Sequence, residues 1–191
     1  MAYTTAANVK TYAGIGVSTH DTLLGVLIPQ AQAAIDRHCN RTFEASADTT
    51  RYFDALRDVS PDYRTLHLDT DLCAITSVTN GDSTTVTSSQ YVTEPRNITP
   101  YYALRLKDSA TISWTYADTP ENAIAIVGKF AYSTSAPADI VLACNRLVLY
   151  WFRMREGDGD RTMVNAAGML VLPAQLPRDV IDLLKPYRRL Q

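Results

Sequence analysis

A chain of 191 residues, 46% hydrophobic and 20% charged, can bury roughly 70% of its unfolded surface without help from disulfides or metals. Its 18 Lys and Arg against 20 Asp and Glu leave a formal net charge of −2. That excludes the basic excess of a tight nucleic-acid binder, while an enzyme is not excluded by composition.

The first segment reads as helical. Thr4 or Thr5 can cap a short helix running through Tyr12, and Gly14 and Gly16 stop it. Thr19 starts a second helix with Asp21 in its first turn, where a carboxylate suits the helix dipole. Leu24, Leu27, Ile28, Ala31, Ala34, Ile35 and Cys39 follow the spacing of one buried stripe. Pro29 interrupts that stripe, which predicts a kink or two abutting helices. Asn40 and Arg41 end the segment.

From about residue 49 to 133, Thr, Val, Ile and Tyr dominate and alternation replaces the helical period. Strands are predicted over 51–54, 65–69, 74–79, 90–93, 102–106, 111–116 and 123–130. Asn80 and Gly81 give the clearest hairpin signal, since both tolerate the positive φ of a primed turn. Pro61, Pro95, Pro100 and Pro120 fall between strands, where a missing N–H is harmless.

Helix returns after Ser133. Ile140, Val141, Ala143, Cys144, Leu147, Val148, Tyr150, Trp151 and Met154 are apolar nearly all round, as in a helix at the centre of a bundle or at a subunit contact. An acidic break follows at 156–160 and then a loop to about Pro173. A last helix is predicted over 178–184, terminated by Pro186. The expected fold is therefore α+β: a small helical bundle formed by the N- and C-terminal segments with an inserted antiparallel β-sheet subdomain. The segments are 1–46, 47–133 and 134–191.

Motifs for chemistry are sparse. Cys39, Cys73 and Cys144 are odd in number and lack CxxC spacing, so they read as small buried hydrophobes. His20, His38 and His67 show no i,i+4 pair, and zinc needs three or four convergent ligands. The acidic stretch at 156–160 lacks the downstream bidentate Glu of a calcium loop; it reads as a solvated connection, or as like charge facing a DNA channel. There is no Gly-x-Ser-x-Gly elbow and no phosphate-binding glycine motif. No catalytic residue, cofactor or metal site is expected. The 11 tyrosines lack interleaved Lys and Arg, so core and subunit contacts explain them better than base stacking. No signal peptide and no bilayer-spanning run is visible. At the C-terminus, Lys185, Tyr187, Arg188, Arg189 and Leu190 combine charge and exposure around Pro186; they read as a docking peptide or as a frayed polar end.

Taken in order, these pieces resemble the head–tail connector (adaptor, or head completion) proteins of long-tailed bacteriophages. The resemblance is carried by Tyr3, Thr4, Thr5, Val9, Lys10 and Tyr12, then by Leu23, Leu24, Leu27, Ile28, Ala31, Ile35 and Asp36. It continues through Arg41-Thr-Phe-Glu44, Arg51-Tyr-Phe-Asp54, Ile75-Thr-Ser-Val78, Gln90-Tyr91 and Ile124-Ala-Ile-Val-Gly128. It closes with Pro137-Ala-Asp-Ile140, Ala143, Leu147, Tyr150 and Arg153, and with Leu176, Val180, Leu184 and Pro186-Tyr-Arg-Arg189.

The resemblance implies a structural subunit of the virion neck, made in the host cytoplasm and lacking enzymatic activity. It implies a homo-oligomeric ring of twelve copies docked under the portal protein, extending the DNA channel without sequence-specific DNA binding or membrane contact. The ring would offer an attachment face to the next neck or tail protein (a stopper or tail terminator). Portal binding would fall to Leu184, Lys185, Pro186, Tyr187, Arg188, Arg189 and Leu190. Two other readings stand beside it: a tail terminator or tail completion protein of the same virion, or a non-catalytic ligand-binding β module.

Overall fold

The computed structural model describes residues 2–156, 163–164, 170–171 and 176–189. The chain divides into two compact units, one of Arg41–Ala136 and one that joins Ala2–Asn40 to Pro137–Gln191.

The second unit is helical. Helix α1 (Ala6–Ala13) starts where the Thr5 hydroxyl accepts the Asn8 N–H at 3.2 Å. It ends on Gly14, whose φ of 69° is the left-handed conformation that a side chain would strain. Helix α2 (Asp21–Cys39) begins two residues later than Thr19 and buries Leu24, Ile28, Ala31, Ile35 and Cys39 along one stripe. It runs unbroken through Pro29, so the two-helix alternative is not realised. Pro29 and Gly25, four residues before it, both lie on the exposed face. The carbonyl deprived of its partner can therefore bond water, which makes the proline tolerable. Asn40, at φ 53°, caps the end.

Helix α3 (Ala138–Glu156) and the short α4 (Arg178–Leu184) complete the unit. Helices α1, α2 and α4 all pack on α3, so α3 is the centre of the bundle. That place explains its composition: Ile140, Ala143, Cys144, Leu147 and Val148 are fully buried. Where the sequence predicts a plain loop after α3, two short strands, Met163–Val164 and Leu170–Val171, pair antiparallel. The remainder of the predicted 157–172 loop and most of the acidic stretch lie outside the described residues.

The first unit holds six strands: β1 (Thr49–Phe53), β2 (Thr65–Leu72), β3 (Ala74–Thr79), β4 (Tyr91–Glu94), β5 (Tyr101–Leu106) and β6 (Ile124–Lys129). They form two three-stranded antiparallel sheets, ordered β1-β6-β3 and β2-β5-β4, rather than a single sheet. Only Cys73 separates β2 from β3, yet the two strands belong to different sheets. Phe53, Leu66, Leu72, Val78, Leu104, Leu106, Trp114, Ile124 and Ile126 fill the common core.

Residues 111–116 are not a strand, contrary to their alternation. Part of their polar backbone is taken by two side chains instead, and the Trp114 N–H donates to the Tyr63 carbonyl at 3.0 Å. The Arg64 guanidinium donates to the carbonyls of Ala110, Ile112 and Lys107 at 3.2, 2.8 and 3.0 Å. Asn80 Nδ2 donates to Ser113 O, and Asn80 Oδ1 accepts the Thr115 N–H. With those groups satisfied, no ladder is needed.

The same asparagine overturns the primed-turn expectation. The positive φ falls on Ser83 (67°), not on Asn80 or Gly81. Gly81 is required for proximity: a Cβ there would sit 2.3 Å from Thr115 O. Gly128 is held as tightly, its notional Cβ 2.3 Å from Ala74 O beside the register shift in the β3–β6 pair. Gly81→Ala and Gly128→Ala should each destabilise this unit by about 1–3 kcal/mol, the usual cost of overpacking. A lowered denaturant midpoint at constant slope checks this.

Candidate functional site

The C-terminal segment is fastened to the bundle at both sides. After α4 the chain makes a tight 3-10 turn, Lys185–Tyr187. The Tyr187 hydroxyl donates to Asp139 Oδ2 at 3.0 Å, at the start of α3. The Arg189 N–H donates to the carbonyl of Cys39 at 2.9 Å, at the end of α2. It thereby satisfies one of the carbonyls a helix end leaves open.

The segment's side chains are placed unequally. Leu184 is fully buried and packs as part of the bundle, so as folded it offers a partner nothing. Lys185, Pro186 and Arg188 are exposed, and Tyr187 and Arg189 are half-buried. Leu190 lies outside the described residues.

Anchoring Arg189 to Cys39 sets Arg188 beside the last turn of α2. His38 registers this: burial, and then the Arg188 charge, hold its imidazole below the ordinary value. Arg37 and His38, in the basic last turn of α2, are residues that sequence reasoning missed. Their only sequence signal is an Arg-His pair at a helix C-terminus, which the dipole alone explains. The neighbour of His38 in space, Arg188, is 150 positions away in the chain.

The opposite end of the chain is also tied in. Tyr3 is buried, and its hydroxyl donates to Asp36 Oδ1 at 2.5 Å. The Thr4 hydroxyl donates to Asn145 Oδ1 at 2.6 Å inside α3. Burial raises the Asp36 carboxyl, and the Tyr3 hydrogen bond only partly offsets that. A carboxyl raised in the folded state helps folding when protonated, at low pH, and loses that contribution as pH rises through its folded pKa. Asp36→Asn keeps an acceptor for Tyr3 and removes the half-buried charge. It should raise the melting temperature at pH 7 and change it little at pH 4. A thermal melt at each pH checks this.

The reactive-residue readings have plain outcomes. Cys39 and Cys144 are buried and Cys73 is half-buried, and all three are thiols rather than halves of disulfides. Burial, and then Asp36, push the Cys144 thiol up to about 12, far from a nucleophile's range. Among the described residues, no group of three or more His, Cys, Asp or Glu is arranged to hold a metal ion. No described helix is long and apolar enough to cross a membrane. Of the tyrosines, Tyr12, Tyr52, Tyr63, Tyr102 and Tyr116 are exposed, while Tyr91 and Tyr101 pack against the sheet core.

The fold is one found in chains of particle necks. It is shared with chains in two solved necks of gene transfer agent particles. One, from an empty particle computed with C6 symmetry, is 15% identical with a TM-score of 0.60. The other, from a native particle computed with C12 symmetry, is 14% identical with a TM-score of 0.58. Each alignment covers 97% of this chain and 88% of the other. A chain from the virion of a native gene transfer agent particle aligns at 15% identity and a TM-score of 0.55, covering 92% and 81%. No curated protein matches the chain. The model of the head completion protein family matches residues 2–190, and the chain belongs to that family.

Proposed function

We propose that the chain is a structural subunit of a virion neck, a connector ring that docks under the portal, extends the DNA channel and receives the next neck or tail protein. The observation that carries this reading is the family match over residues 2–190, joined to a fold shared with chains of a particle neck solved in C12 and C6 symmetry. A ring of identical subunits needs two unlike faces that meet with a closing rotation. In this reading, residues 1–46 and 134–191 form the portal-side bundle and 47–133 supply a separate β face. A net charge of −2 suits a channel through which DNA must slide, because it denies the counterion-release affinity of a basic surface. The role requires no turnover and no cofactor.

Within the C-terminal segment, the contact with the portal is assigned to Lys185, Pro186, Tyr187, Arg188, Arg189 and Leu190, with Leu184 as the packed base beneath them. Tyr and Arg are the types that dominate interface energetics. Mixing the purified chain with portal rings of the same particle tests the role. The reading expects co-sedimentation in a fixed ratio and a closed ring on the portal in electron micrographs. A chain that stays in the supernatant, or that instead closes the far end of isolated tails as a terminator would, contradicts it.

A further inference from the structure

A recess of about 450 Å³ opens on the helical unit, lined by Gln30, Ala34, Arg37 and His38 of α2, Trp151 of α3, and Leu176. One half of it is apolar, made by Ala34, Trp151 and Leu176. Gln30, Arg37 and His38 supply the rest of the described lining, polar and with Arg37 cationic. None of its described lining residues is acidic. Arg188 stands at its His38 end, held there by the hydrogen bond from Arg189 N to Cys39 O. Among the described residues, Arg37 and Arg188 make no ion pair. His38 Nε2 is buried and has no hydrogen-bond partner among them. Among the described residues, two guanidinium groups without an ion pair and a ring nitrogen without a hydrogen-bond partner thus stand about one recess.

We infer that this recess is a docking site for an acidic segment of a partner protein, one that brings a carboxylate to Arg37, His38 and Arg188 and an apolar side chain to Trp151. Charge complementarity selects the carboxylate, since guanidinium groups bind it in two-point fashion, here beside the half-buried His38 ring. The apolar half selects protein over nucleic acid. A phosphodiester backbone has no side chain to seat against Ala34, Trp151 and Leu176, and a duplex cannot enter a recess of this size. The inference rests on reading the chain as an assembly subunit, and adds the chemistry of one of its partners.

The test uses the isotope-labelled full chain, followed by nuclear magnetic resonance. The probe is an acetylated peptide with two leucines between four glutamates; a lysine counterpart and a 12-base-pair duplex serve as comparisons. The inference expects saturable shifts of the His38 ring and Trp151 indole signals with the glutamate peptide only, weakening as salt rises. The double variant R37E/R188E changes only exposed side chains, and its spectrum reports directly on folding. It should lose at least tenfold in affinity for the glutamate peptide and gain affinity for the lysine peptide. Absence of a saturable response up to 5 mM overturns the inference, as does an equal response to both peptides. Stronger binding of the duplex at the same signals would assign the recess to nucleic acid. Shifts that follow chain concentration without peptide would assign it to a second copy. The titration needs no particle, so a negative result leaves the neck ring standing, and a failed ring leaves the titration readable.

Discussion

Leu184→Ala is expected to destabilise the helical unit by about 2–5 kcal/mol, the range for removing a buried leucine from a core that cannot collapse around the gap. Leu184 and Val180 are the two fully buried side chains of α4, a helix of only 7 residues. A helix that short has little stability of its own and depends on its packing. Against a total stability of roughly 5–15 kcal/mol, the loss is a large fraction of what holds the unit together. The Cys39 Sγ lies 4.0 Å from the Leu184 carbonyl, so the α2 terminus should loosen with α4. Denaturant unfolding gives the midpoint shift, and reaction of Cys39 with a thiol reagent gives the local opening. A midpoint unchanged within error would mean that α4 is not packed as described.

Deleting residues 185–191 should produce the opposite combination, a folded chain that no longer binds the portal. The deletion removes the Tyr187–Asp139 hydrogen bond and the Arg189–Cys39 hydrogen bond. At about 0.5–1.5 kcal/mol each, their loss leaves the bundle folded. It also removes the segment assigned to the portal. If Tyr187 and one of the arginines act as hot spots at about 2 kcal/mol each, affinity falls roughly thirtyfold for either and about a thousandfold for both. Sedimentation with portal rings measures this directly. Portal binding within threefold of the intact chain would move the portal contact elsewhere on the molecule. The contrast between the two variants separates the packed residue from the exposed ones in a segment that reads as uniform in sequence.

How far the sequence reaches differs between the two units. Helix periodicity is a local property, and it places α4 at its observed limits and α2 within two residues of its start. The stripe from Leu24 to Cys39 and the apolar girth of α3 come from the same local signal. Strand positions follow as well, with β3 at Ala74–Thr79 as predicted. Strand partners do not follow, because alternation says which face is buried and not which strand lies alongside. The split into β1-β6-β3 and β2-β5-β4 depends on the chain changing sheets at Cys73, which no residue there announces. The false strand at 111–116 has the right pattern, but Arg64 and Asn80 claim its backbone from far along the chain.

The candidate site divides in the same way. Tyr187, Arg188 and Arg189 stand out in sequence, because tyrosine and arginine beyond the last helix have no local structural task. Their anchoring to Asp139 and Cys39 is invisible there, as is the buried place of Leu184. His38 looks like an ordinary dipole partner until folding sets it beside Arg188.

The most direct measurement of the central claim is a symmetry-resolved electron cryomicroscopy reconstruction of the intact particle, focused on the neck. The account predicts density for this chain as a closed ring against the portal, with residues 185–189 of each copy touching it. Density for the chain only at the distal end of the tail, or as solitary copies away from the portal vertex, would contradict it.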